Sequence, residues 1–172
     1  PLTPLVQIES QLYYDEGLYT STGTITDARL ALMRDLRERS MLARLAKDVP
    51  PPAITITDGP MELWGSSEAE NRGEFKESLK DYLGALSVLY ELGAITAGYV
   101  DKPSANLVVR LLEVAMLADD NLGQVKNWFP LRGVTDFELF KNLLEPGQRS
   151  AVFAQQSHTS QEYAGVLALH FF

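Results

Sequence analysis

Asp58 closes a short β-branched stretch, AITITD (Ala53–Asp58), and Gly59-Pro60 follows at once. By the two-residue period of a strand, Ile54, Ile56 and Asp58 point one way and Thr55 and Thr57 the other. The Gly-Pro step then ends the strand. A carboxylate at the carboxyl end of a strand stands where open α/β sheets place ligand chemistry. With a second carboxylate beside it, Asp58 could hold a divalent cation through hard oxygen ligands. Alone, such an aspartate caps its turn through an Asx hydrogen bond about as often.

Glu38 is one candidate for that second carboxylate. It lies among Arg29, Arg34, Arg37, Arg39, Arg44 and Lys47, where the positive charge of the chain is concentrated. Helical spacing puts Arg34 four positions before it and Met41, Leu42 and Leu45 on the same line after it. Two readings stand. In one, Glu38 makes a surface pair with Arg34 or Arg37, worth only ~0–1 kcal/mol. In the other, it leans over the strand end, where with Asp58 it would flank a Mn²⁺ or Mg²⁺ ion able to activate water for phosphodiester attack.

Asp101 ends the apolar stretch GYVD in the same manner and is followed by Lys102-Pro103. If the two stretches are neighbouring parallel strands, Asp58 and Asp101 share one sheet edge, and Lys102 could contact phosphate there. The plainer reading is a strand-to-helix turn with an incidental salt bridge. Gly147-Gln148-Arg149-Ser150 could bind an anion through Arg149 and backbone N–H groups, or be an ordinary loop. Arg34 completes the cations expected to meet a phosphate backbone. His158 lies in a polar segment, and His170 alternates with Ala168 and Val166 as a strand residue would. No Ser/His/Asp arrangement, P-loop or dinucleotide fingerprint is present. Trp64 and Trp128 read as core or rim residues.

These side chains need a scaffold. At 172 residues, the chain is long enough to bury a sizeable core. Having no cysteine, it can form neither disulfides nor thiolate metal sites, which suits a reducing cytoplasm. A formal charge of −8 argues against non-specific nucleic-acid binding by the whole surface and leaves a local basic groove open. The most apolar run, Tyr82–Val100, splits by periodicity into a helix and a strand around Gly93, so no membrane span is expected.

Alternation predicts a half-exposed strand over Leu5–Tyr14, with Val6, Ile8, Leu12 and Tyr14 on one face. Asp27 or Thr26 caps a helix running to about Lys47, which Pro50-Pro51-Pro52 stops. The Asp58 strand, a helix around Phe75–Leu92 and a strand over Ala94–Val100 follow. Pro103-Ser104 opens a helix whose core side is Leu107, Val108, Leu111, Leu112 and Ala115. Asp136 caps a short helix to Leu144, and Ala151–Gln155 and Tyr163–Phe172 form two last strands. Strands alternating with helices indicate an α/β fold with parallel central strands. The chain starts at Pro1 and stops in the apolar run Val166–Phe172, which reads as a single domain cut at both ends.

Four segments together resemble the NurA nuclease family, in its cyanobacterial form: MRDLRERSMLARLA around Glu38, ITITDGPMELWG around Asp58, YELGAITAGYVDKPSANLVVRLLE, and LFKNLLEPGQRSAVF. Their order and spacing carry the resemblance along nearly the whole chain. It implies an RNase H-like mixed sheet with helices on both faces and a Mn²⁺-dependent nuclease acting on DNA ends in double-strand-break repair. Such enzymes are usually homodimers docked on a hexameric HerA-type ATPase in the cytoplasm. The family's helix glutamate matches Glu38 and its later strand-end aspartate matches Asp58. The family's first-strand Asp-Gly-Ser element has no counterpart here, and its late tyrosine–histidine pair would fall beyond Phe172. The resemblance thus implies a partial site and an inactive isolated fragment. The alternative is a non-catalytic RNase H-like module that binds a partner ATPase or DNA ends.

Overall fold

The computed structural model describes residues 6–10, 19, 27–63, 72–157 and 160–172. The chain is mixed α/β and divides into two compact units. One comprises Pro1–Ala53 and Leu63–Ile95, the other Ile54–Glu62 and Thr96–Phe172.

The first unit is built on two long helices, α1 (Asp27–Ala46) and α2 (Arg72–Glu91), packed against each other. Leu32, Arg39, Ala43 and Ala46 form the buried line of α1, and Leu79, Tyr82, Ala85, Leu86 and Leu89 that of α2. Both lines follow the three-and-four spacing of an amphipathic helix. Arg39 is the exception in kind. Its Nε donates to the Tyr82 hydroxyl at 2.9 Å, and its guanidinium lies 5.5 Å from the Tyr82 ring centroid. Burial pushes the Tyr82 phenol up, against the pull of that cation. Gly93, at a φ of 73°, ends α2 as a left-handed cap, as its position in the sequence requires.

The expected strand over Leu5–Tyr14 is not seen where it is described. Residues 6–10 have no strand geometry, and Val6 and Ile8 are exposed. Arg44 donates to Glu9 and holds its carboxyl below the usual glutamate range. Leu12, Tyr14, Thr26 and the side chain of Asp27 lie outside the described residues.

The second unit holds most of a parallel strand pair, β1 (Ala53–Asp58) and β2 (Ala94–Tyr99). The sense is fixed by Thr55 Oγ1 donating to Thr96 Oγ1 at 3.1 Å and Gly59 N donating to Tyr99 O at 2.8 Å. Residues ascending one strand meet residues ascending the other. β1 is buried on one side only. Thr55 and Thr57 are covered, whereas Ile54 and Ile56 are 66% and 64% exposed. The face carrying the two isoleucines is therefore the outward one.

Beyond β2 come α3 (Leu107–Ala115), a 3₁₀ segment (Asp119–Asn127), α4 (Asp136–Phe140) and an antiparallel pair, β3 (Phe153–Ala154) with β4 (His170–Phe171). The Phe153 and Phe171 rings stack across that pair at 5.4 Å. Among the described residues, the single mixed sheet expected from the sequence is instead two separate strand pairs. Residues 165–167 make a 3₁₀ turn, with Gly165 at a φ of 61°, so the strand expected over Tyr163–Phe172 shrinks to its last turn-free residues.

Two expectations for this unit are corrected. The capping residue of α4 is Thr135, not Asp136: its hydroxyl and the Glu138 carboxylate form a reciprocal capping box. Asp136 instead accepts from Val108 N and Val109 N at 3.1 and 2.8 Å, supplying the cap that Asn106 does not give α3. The buried side of α3 is Val108, Val109 and Glu113, while Leu107, Leu111, Leu112 and Ala115 are exposed. Glu113 decides this orientation. It accepts from Arg110 Nη1 at 2.5 Å and from Leu131 N at 2.8 Å. Arg110 also donates to the carbonyls of Val125 and Trp128 and stacks 4.3 Å from the Phe129 ring. Those bonds to residues 125–131 cover the Arg110–Glu113 side.

Candidate functional site

Asp58 is the last residue of β1, exposed, on the same side as Ile54 and Ile56. The turn after it depends on two glycines. Gly59 has a φ of 101°, which an L side chain rarely adopts. Gly98 on β2 lies under the turn, where a Cβ would come 2.4 Å from Gly59 O. With no side chain at position 98, the chain crosses directly over β2 and locks Gly59 N onto Tyr99 O.

Asp101, two residues past the end of β2, is exposed at the same carboxyl end of the strand pair. The parallel pairing thus brings the ends carrying Asp58 and Asp101 together. Lys102 is exposed beside Asp101. Glu38 is half-buried on α1, beside the seam occupied by Arg39 and on the flank with Met41, Leu42 and Leu45. It belongs to the first unit and Asp58 to the second. Arg34 pairs with Asp35 at 3.2 Å rather than with Glu38. Arg149 is exposed, donates to Ser150 O at 2.9 Å and lies 5.9 Å from the Phe172 ring. The preceding turn is tied by Gln148 N to Glu145 O at 2.9 Å, an ordinary loop closure. His170 is an exposed residue of β4 whose Nδ1 lies 2.9 Å from Ala168 O. His158 and Trp64 lie outside the described residues.

The donor chemistry at the end of the strand pair suits a hard divalent cation, since Asp58 and Asp101 both offer carboxylate oxygens to solvent. Among the described residues, however, no group of three or more His, Asp or Glu side chains comes together to hold a metal ion.

One residue of this region carried no sequence signal. Glu62 is only 9% exposed and accepts from Ser157 Oγ at 2.5 Å and from Gln155 Nε2. In the sequence it is a glutamate within a post-strand turn, and its partners lie more than ninety positions away. Only the folded chain reveals them.

The chain matches no protein-family model, no curated protein and no solved structure. No helix among the described residues is long and apolar enough to cross a membrane.

Proposed function

We propose that this chain carries part of a metal-dependent DNA nuclease of the NurA type, with an RNase H-like architecture, acting on DNA ends in double-strand-break repair. One observation carries the reading: the strand–helix–strand unit β1–α2–β2 has parallel strands that set Asp58 and Asp101 at one carboxyl end, where α/β folds hold ligands. Asp58 and Glu38 are the proposed ligands of Mn²⁺, with Mg²⁺ as the substitute and Asp101 as a third carboxylate. The ion, when bound, supplies an activated water for phosphodiester hydrolysis. The chain's own part is to offer carboxylate oxygens at a fixed turn, while Lys102, Arg149 and Arg34 offset phosphate charge. In this reading the protein is a cytoplasmic homodimer working on DNA with a HerA-type hexameric ATPase.

The test is degradation of end-labelled linear duplex DNA by the full-length protein, with Mn²⁺, Mg²⁺ or EDTA, beside its Asp58→Ala form. Cleavage that needs the metal and falls by orders of magnitude in the variant supports the nuclease. Absence of cleavage by both forms, with the ATPase partner present, supports the second reading, a non-catalytic partner-binding module. The outward leucines of α3, Leu107, Leu111 and Leu112, with Met116, favour that second reading, because contiguous exposed apolar side chains mark interaction surfaces.

A further inference from the structure

We infer that Glu62 is the positioning residue for Asp58. The inference rests on the reading of Asp58 as a group of the nuclease site. Asp58 stands on the solvent side of a strand pair, so its placement depends on the backbone of the turn that follows. That turn is held at its start by Gly59 N on Tyr99 O and is seated over Gly98. Glu62 holds its far end. One carboxylate oxygen takes the Ser157 hydroxyl and the other takes the Gln155 amide.

Both donors are themselves fixed. Ser157 Oγ accepts from Ser160 N at 2.9 Å, and Ser157 N donates to Ser160 Oγ at 2.8 Å. Gln155 N donates to Leu169 O at 2.9 Å, extending the β3–β4 pairing. Glu62 therefore ties the turn after Asp58 to the closed hairpin at the end of the chain. Burying a carboxylate costs free energy that neutral donors only partly return. Its return here is geometric, since it sets the backbone on which Asp58 sits. Catalytic groups need placement within about half an ångström, supplied by a surrounding hydrogen-bonded shell.

The experiment compares wild-type full-length protein with Glu62→Ala, Glu62→Gln, Ser157→Ala and Asp58→Ala. Amide exchange at Gly59, kcat and KM for linear duplex DNA, and thermal unfolding are measured on each. Loosening the turn should misplace Asp58 by a fraction of an ångström to an ångström, a shift that costs about tenfold to a hundredfold in rate. Glu62→Ala is expected to speed exchange at Gly59 and lower kcat by about that factor, with KM little changed. Glu62→Gln can satisfy Ser157 and Gln155 by turning the hydroxyl and an amide, and should recover most of the rate. Ser157→Ala removes one grip and should show the same signs at smaller size, which keeps the test open if Glu62→Ala does not fold. Unchanged kcat and Gly59 exchange in Ser157→Ala and Glu62→Ala, with cleavage lost in Asp58→Ala, would overturn the positioning role and leave the nuclease reading standing. Cleavage retained in Asp58→Ala would overturn the reading of the site, and the role of Glu62 with it.

Discussion

Between α1 and α2 the buried seam is aliphatic, with the Arg39–Tyr82 contact set inside it. Along α3 the seam holds Glu113 beside Val108 and Val109, and Leu107, Leu111, Leu112 and Met116 face outward. In the helix pair, the apolar stripe is covered by the matching stripe of its neighbour. On α3, a carboxylate with specific donors decides which side is covered. An apolar stripe states which face can be buried. The partners present in the chain decide which face is.

Four substitutions probe that contrast. Leu89→Ala strikes the α1–α2 seam at a fully buried position and is expected to cost about 2–5 kcal/mol by denaturant unfolding. A cost below about 1 kcal/mol would mean that the seam is not the apolar core described.

Glu113→Gln comes next. The Arg110 guanidinium, helped by Leu131 N–H and opposed by burial, holds the Glu113 carboxyl below the usual glutamate range. Because the folded value is the lower one, the unfolded chain binds more protons in acid. The contribution of Glu113 is full above the unfolded value of about 4.3 and is lost as pH falls through the folded value. The stability gap between wild type and Glu113→Gln should therefore narrow as pH falls below about 4.3, in urea titrations at stepped pH. A pH-independent gap would remove the carboxylate from the account of α3.

Tyr82→Phe removes the hydroxyl that Arg39 Nε meets and is expected to cost about 1.5–3 kcal/mol, the range for a hydrogen bond to a charged group. No loss in thermal unfolding would mean that the seam of the helix pair is held by apolar packing alone and sharpen the contrast with α3. Thr135→Ala opens the α4 capping box for about 0.5–2 kcal/mol. A change of that size in unfolding midpoint, with the α3 signals intact, would separate the capping of α4 from that of α3.

Much of the architecture was legible from local rules. Gly93 after an amphipathic run, Pro50-Pro51-Pro52 before a β-branched stretch and Asp58 ahead of Gly-Pro placed α1, β1, α2 and β2 within a few residues. The parallel sense of β1 and β2, and hence the shared end for Asp58 and Asp101, followed from the helix between them. What failed was long-range. The sequence offers no sign that Arg39 turns inward to Tyr82, that Glu113 captures Leu131 N, or that Glu62 waits for Gln155 and Ser157. Charged residues carry no periodic signal of their destination, because their burial depends on a partner far along the chain. By position Asp136 suits a cap for the helix it begins, but it caps the helix 28 positions earlier.

That last contact sets an order of events during synthesis. The nine residues of α3 are too few to hold a helix alone in water. Its first amides close only on a carboxylate that leaves the ribosome 28 residues later. Until Asp136 has been added, the segment Leu107–Ala115 lacks the carboxylate that closes its first amides. The helix is completed backwards, by the residue that opens the next one.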